Sequence, residues 1–86
     1  MRKINFSAGP SALPYEVVEK MSEAMINFEG SGVGIGEISH SSKEFLAIME
    51  EAKSLVRELL NVPEGYSILF LHGGATLHFL MTAMNL

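Results

Sequence analysis

Residues 67–79 read Ser-Ile-Leu-Phe-Leu-His-Gly-Gly-Ala-Thr-Leu-His-Phe. A short apolar strand, a double glycine, a threonine cap and the start of an apolar helix follow one another here. This order constrains the fold more than any other feature of the chain. A strand covered on both faces reads as an almost unbroken apolar run, as Tyr66 to Leu71 does, and such strands belong to parallel sheets flanked by helices. The glycines let backbone approach a ligand closely. The free amides of a helix N-terminus, with the helix dipole behind them, attract an anion. Residues 73–76, Gly73-Gly74-Ala75-Thr76, are thus a phosphate-site candidate, although the same short pattern also suits an ordinary tight connection capped by Thr76. It is not a Walker loop, since the Gly-Lys-Ser/Thr ending is missing.

The rest of the chain reads as an arm and two further helices. Residues 1–13 form an extended arm with a turn at Ala8-Gly9-Pro10. Pro14 suits the first position of a helix over about 14–28, in which Val17, Val18, Met21, Met25 and Phe28 fall at helical spacing. Gly30, Gly32, Gly34 and Gly36 mark a mobile or closely packed loop with room for a short strand at its end. Their spacing does not match the Gly-x-Gly-x-x-Gly dinucleotide pattern. Ser41 and Glu44 read as a capping box. The helix they open carries Phe45, Ile48, Met49, Ala52, Leu55, Val56, Leu59 and Leu60 on one face, with Lys43, Glu50, Lys53, Ser54, Arg57 and Glu58 mostly opposite. Asn61-Val62-Pro63-Glu64-Gly65 ends that helix and turns the chain. The methionines lie on apolar helix faces and read as core.

Composition narrows the function. At 86 residues the chain can build one small core. Apolar content of 48% with 19% charged residues argues for a folded piece rather than disorder. The net charge of −4 and the scattered basic residues argue against nonspecific nucleic-acid binding. The lack of cysteine excludes disulfides and thiol chemistry and fits a reducing compartment. No stretch approaches the ~18 apolar residues of a membrane helix, and the N-terminus has no signal-peptide core. The chain closes on Met84-Asn85-Leu86 within an apolar run without a C-cap, which reads as the front portion of a longer protein. His72 and His78 straddle the glycine turn without a third metal ligand in sequence reach and read as structural or exposed. Ser39-His40-Ser41-Ser42 suits either helix capping or an anion-binding cluster with His40 as a donor.

Four segments carry a family resemblance in the family's order: Asn5 to Pro14 (Asn-Phe-Ser-Ala-Gly-Pro-Ser-Ala-Leu-Pro), Glu37 to Phe45 (Glu-Ile-Ser-His-Ser-Ser-Lys-Glu-Phe), Leu60 to Tyr66 (Leu-Asn-Val-Pro-Glu-Gly-Tyr) and Leu69 to Thr76 (Leu-Phe-Leu-His-Gly-Gly-Ala-Thr). Together they resemble the N-terminal quarter of the phosphoserine aminotransferases, pyridoxal-phosphate enzymes of fold type I, class V. The resemblance implies an α/β fold, with an arm over residues 1–13 and the start of a large cofactor-binding domain, mainly parallel sheet flanked by helices, over 14–86. It implies transfer of an amino group from glutamate to 3-phosphohydroxypyruvate in serine biosynthesis, with pyridoxal 5′-phosphate as cofactor, in a cytoplasmic homodimer. By resemblance, Ala75 and Thr76 match positions that grip the cofactor phosphate, Gly73 and Gly74 shape the turn, and Gly74, Ala75 and Thr76 form the cofactor set. Ala8, His40 and Ser41 match positions near the amino-acid substrate. The position after His40 is commonly arginine in the family and is Ser41 here, and a serine supplies neither the charge nor the planar fork of a guanidinium. A transaminase also needs a lysine that bonds the cofactor and an acid, usually aspartate, at the pyridine nitrogen. This chain has no aspartate, and Lys3, Lys20, Lys43 and Lys53 lie outside the family's lysine context. Two alternatives stay open: a related class V aminotransferase with another substrate, and a non-catalytic piece that associates with itself or a partner.

Overall fold

The computed structural model describes residues 1–86. It holds three α-helices, α1 (Tyr15–Ile26), α2 (Lys43–Leu59) and α3 (Gly74–Asn85), with tight 3-10 turns at Phe28–Gly30 and Ile35–Glu37. Two compact units divide the chain, Met1–Ile48 and Met49–Leu86. Helix α2 begins in the first and ends in the second.

In the first unit the arm is held by its own polar groups. Asn5 Oδ1 accepts from the Ser7 amide at 3.0 Å and its hydroxyl at 2.7 Å, and Arg2 Nη1 donates to the Leu13 carbonyl at 3.2 Å. The chain bends at residues 8–10, as expected, and the Gly9–Pro10 peptide is cis. Pro14 sits one position earlier than expected, as the N-cap of α1, with φ −55° and ψ 142°. An extended ψ suits a residue whose carbonyl opens the helix, and that carbonyl accepts from Val17 and Val18, both at 3.1 Å.

Helix α1 stops at Asn27, where φ −155° breaks the helical run. The glycine loop then folds back on the helix end. Asn27 Oδ1 accepts from the Gly32 amide at 2.8 Å, and the Phe28 amide donates to Val33 at 2.7 Å. The Gly34 amide donates to Glu37 Oε1 at 3.0 Å, and the Glu37 amide returns to the Gly34 carbonyl at 2.9 Å. Gly34 is the one buried residue of the chain. A Cβ there would strike the Met25 carbonyl oxygen, so only glycine lets the loop lie this close to α1. Of the two readings of this loop, close packing is the one realised at Gly34, and 3-10 turns stand where a short strand had been expected.

Helix α2 starts one residue later than the capping-box reading requires. Its first bond runs from Leu46 to the Ser42 carbonyl at 3.0 Å, and Ser42 Oγ accepts from the Phe45 amide at 3.2 Å. Ser42 is therefore the N-cap. Ser41 instead joins the preceding turn, its amide donating to Ser39 Oγ at 3.2 Å, while the Ser42 amide donates to the Ser39 carbonyl at 3.0 Å. Because the residue three beyond Ser42 is Phe45, a single cap replaces the box.

In the second unit α2 ends in a Schellman motif. Asn61 takes left-handed backbone at φ +51°, its amide donates to Glu58 at 3.3 Å, and Val62 donates to Arg57 at 2.9 Å. The strand expected over Tyr66 to Leu71 does not form within these residues. This stretch has neither helix, turn nor ladder, because a strand needs a partner to accept its backbone bonds and none of the 86 residues supplies one. The small core is corrected too. No apolar side chain is buried. The α2 face is only half-covered at Phe45, Ile48, Met49, Ala52 and Val56, while Leu55, Leu59 and Leu60 are exposed. Nor are the methionines core: Met21, Met25 and Met84 are exposed, and only Met49 and Met81 are half-covered. Periodicity marked these faces correctly as apolar, but apolar faces become core only where a second surface meets them.

Candidate functional site: the glycine turn opening α3

Helix α3 begins three residues earlier than a Thr76 cap would place it. Gly73, at φ +93° and ψ −3°, is the N-cap, and its carbonyl accepts the first helical bond from Leu77 at 3.2 Å. Gly74, at φ +58°, is the first helical residue. Thr76 is thereby moved to the third position of the helix, where its hydroxyl cannot cap, and no side chain caps α3. The cause is the glycine pair: two consecutive positive φ values reverse the chain without a Cβ penalty, so the helix starts as soon as the reversal is complete.

The consequence is electrostatic. The amides of Gly74, Ala75 and Thr76 make no hydrogen bond within the chain. They are orphan donors of a first turn, and the partial positive end of the helix dipole lies behind them. That turn carries no acidic side chain to compete with a bound anion. The two glycines differ. A Cβ on Gly73 would overlap the Cβ, Cγ and Cδ2 of Leu77, whereas one on Gly74 would meet nothing within 4 Å. Gly73 is thus required by both conformation and space, and Gly74 by conformation alone.

The remaining site residues fall in the first unit. His40 and Ser41 lie side by side in the exposed turn before α2, and Ala8 lies in the arm at its bend. No hydrogen bond joins Ala8 to either of them. His72 precedes the glycine turn and His78 lies within α3, and the structure gathers no three His, Asp or Glu side chains fit to hold a metal. One residue escaped the sequence reading. Arg57, assigned there to the polar face of α2, reaches past the helix end to the carbonyls of Pro63 and Tyr66. The signal was present as an arginine in the last turn of a helix followed by a Pro-x-Gly loop.

A glycine turn that presents orphan amides at a helix start suits an anion such as phosphate. The chain belongs to the aminotransferase class-V family, whose model matches residues 4–86. Within that family it is 56% identical over 85 residues to a relative named phosphoserine aminotransferase from Phocaeicola vulgatus, with 99% of this chain and 24% of the relative covered. It is 58% identical over 87 residues to one of the same name from Flavobacterium johnsoniae, covering 100% of this chain and 24% of that one. Among solved structures it resembles pyridoxal-phosphate-bound phosphoserine aminotransferase from Trichomonas vaginalis, with TM-score 0.83, 45% identity, and coverage of 91% of this chain and 22% of that one. The chain spans about a quarter of the length of the curated relatives it matches (24%). This likeness supports the N-terminal part of a fold type I enzyme as the fold class, and no helix here is long and apolar enough to cross a membrane.

Proposed function

We propose that the protein to which these residues belong is a phosphoserine aminotransferase, moving an amino group between glutamate and 3-phosphohydroxypyruvate to give O-phosphoserine and 2-oxoglutarate in serine biosynthesis, with pyridoxal 5′-phosphate as cofactor. The observation that carries this reading is the α3 start, where Gly74, Ala75 and Thr76 offer orphan amides behind a turn only glycine can make at position 73. The name phosphoserine aminotransferase, borne by relatives at 52–58% identity, supports phosphoserine and amino transfer; glutamate and 3-phosphohydroxypyruvate follow from the family resemblance.

The residues fit the cofactor's phosphate. A phosphate dianion needs several donors and no nearby acid, and this first turn has both qualities. In the proposed role, backbone N–H groups of Gly74, Ala75 and Thr76 hold the phosphate, and Gly73 keeps Leu77 packed beneath the turn. When bound, pyridoxal phosphate supplies the electron sink that lets an amino acid lose its α-proton and its amino group. His40 and Ser41 would donate to the anionic substrate from the turn before α2, and Ala8 would contribute through its backbone. Residues 1–13 form an arm in this reading, and 14–86 open a large domain whose mainly parallel sheet takes Tyr66 to Leu71 as a strand. The working state is a homodimer in the cytoplasm.

Two specific observations favour other readings. Ser41 in place of the usual arginine favours a class V aminotransferase with a different substrate. The lack of any buried apolar side chain favours a non-catalytic piece that associates with itself or a partner. The deciding experiment measures intact mass and visible absorption of the protein isolated from its source, then amino transfer from glutamate to 3-phosphohydroxypyruvate. A mass several-fold above this chain, a bound chromophore and transfer to that acceptor support the proposal. Transfer only to other oxo acids moves it to the related enzyme, and a mass of 86 residues without chromophore sinks it.

A further inference from the structure

The geometry points to Arg57 as a positioning residue for the glycine turn: its guanidinium bridges two loop carbonyls and so fixes the point at which the segment leading to residues 73–76 leaves α2. This rests on the reading of that turn as the phosphate cradle.

The loop after α2 has little else to hold it. Val62 is half-buried, but Pro63, Glu64, Gly65 and Tyr66 are all exposed. Gly65 has φ +92°, and a Cβ there would meet nothing within 4 Å, so packing does not restrain it. An open groove of about 610 Å³ lies along Arg57, Val62, Glu64, Gly65, Tyr66 and Ser67. Position must therefore come from hydrogen bonds. One is the turn bond from the Tyr66 amide to the Pro63 carbonyl at 3.4 Å. The others come from Arg57, with Nη1 donating to Pro63 O at 3.4 Å and Nη2 to Tyr66 O at 3.2 Å.

The two carbonyls differ in what they specify. Pro63 directly follows the Schellman turn, whose geometry the Asn61 and Val62 amides already set. Tyr66 is the residue from which the apolar segment departs. One planar fork bound to both fixes a direction as well as a distance, which a lysine's point charge cannot do. Arg57 forms no ion pair, the chain's salt bridge being Lys53 to Glu50 at 3.4 Å. No carboxylate therefore draws the guanidinium off the carbonyls. Only six residues separate Tyr66 from Gly73, a span of at most ~25 Å. In the proposed fold that segment is a stiff strand, so a shift at Tyr66 is carried along it to the cradle.

The test compares Arg57→Lys and Arg57→Met with wild type in the full chain carrying these residues. Two readouts are taken: amide shifts of Gly65, Gly73 and Gly74 in cofactor-free protein, and the equilibrium dissociation constant for pyridoxal phosphate. A role in charge alone, completing the helix dipole at the α2 C-terminus, would be rescued by lysine. The bridging role is not. We expect both variants to shift all three glycine amides and to weaken cofactor binding about tenfold, the factor that ~1.4 kcal/mol supplies. Arg57→Lys should recover the thermal midpoint but not the binding. Wild-type affinity in either variant, or shifts confined to Gly65, overturns the inference. If Arg57→Met fails to fold, Arg57→Lys decides alone. Wild type that takes up no pyridoxal phosphate instead overturns the cradle reading beneath it.

Discussion

Replacing Gly73 by alanine isolates what the turn contributes. Gly73 holds φ +93°, a left-handed conformation that costs an L-residue ~1–2 kcal/mol. The new Cβ would also overlap Leu77, whose Cγ would stand 2.8 Å away and whose Cβ and Cδ2 would stand closer still. Leu77 cannot relieve this by a rotamer change, because its Cβ is fixed by the helix backbone. Overpacking of this kind costs a further ~1–3 kcal/mol. The Gly74→Ala variant is the internal control. Its φ of +58° carries the same conformational cost, but its Cβ points into open space. The difference between the variants is then the steric part alone, so Gly73→Ala should bind pyridoxal phosphate ~5- to 150-fold more weakly than Gly74→Ala. Fluorescence titration with the cofactor measures the ratio, and amide shifts of Gly74, Ala75 and Thr76 without cofactor report whether the turn has moved. Leu77→Ala should not rescue Gly73→Ala, since it leaves the Leu77 Cβ in place. Equal affinities for the two glycine variants, or a more severe Gly74→Ala, would refute the reasoning.

Four further outcomes concern the first unit. Ser42→Ala should cost about 1 kcal/mol of α2 stability by stranding the Phe45 amide, while Ser41→Ala should leave the helix unchanged; chemical denaturation distinguishes them. Gly34→Ala should loosen the glycine loop by ~1–3 kcal/mol, because the Met25 carbonyl it would strike is backbone, and faster hydrogen exchange at the Gly34 and Glu37 amides would show it. Gly36→Ala is the mild counterpart, since the nearest atom its Cβ would meet is the flexible Met25 Cε at 3.2 Å. On the proposed function, Ser41→Arg should lower KM for 3-phosphohydroxypyruvate by about tenfold, the gain of one charged fork on an anion; an unchanged KM would place the substrate elsewhere.

What the sequence made legible was whatever one residue type dictates within a few positions. Asn61-Val62-Pro63 ends α2 because Asn61 tolerates left-handed backbone. Pro14 marks the opening of α1, and the glycine pair marks the turn before α3. The two capping errors share one origin, competition between neighbours. Ser41 and Ser42 are both good caps, and the choice between them was made by the preceding turn, in which the Ser41 amide is taken by Ser39 Oγ. Thr76 is a good cap residue, but the glycines had already started the helix. Arg57 was invisible for another reason: its partners are carbonyls, which every residue carries, so no side-chain pattern announces them. The strand and the core were beyond local reasoning altogether, because pairing and burial depend on surfaces brought from elsewhere.

That division bears on how the cradle is stabilised. Isolated helices of 12 residues, the length of both α1 and α3, are marginal in water, and in proteins they persist mainly through a covered apolar face. Helix α3 lacks that cover: Phe79 is 80% exposed and Met84 75%. The shape of the proposed phosphate cradle and its persistence therefore have separate sources. Its shape is written locally, in two positive φ values and a leucine one turn on. Its persistence depends on whatever meets Phe79, Leu80 and Met84, because the free energy of burying those side chains, ~1.5–3 kcal/mol each, exceeds what the turn's own hydrogen bonds contribute. A ligand held by three backbone amides gains affinity only from donors already in place, so packing on the far end of α3 and phosphate binding at its start must rise and fall together.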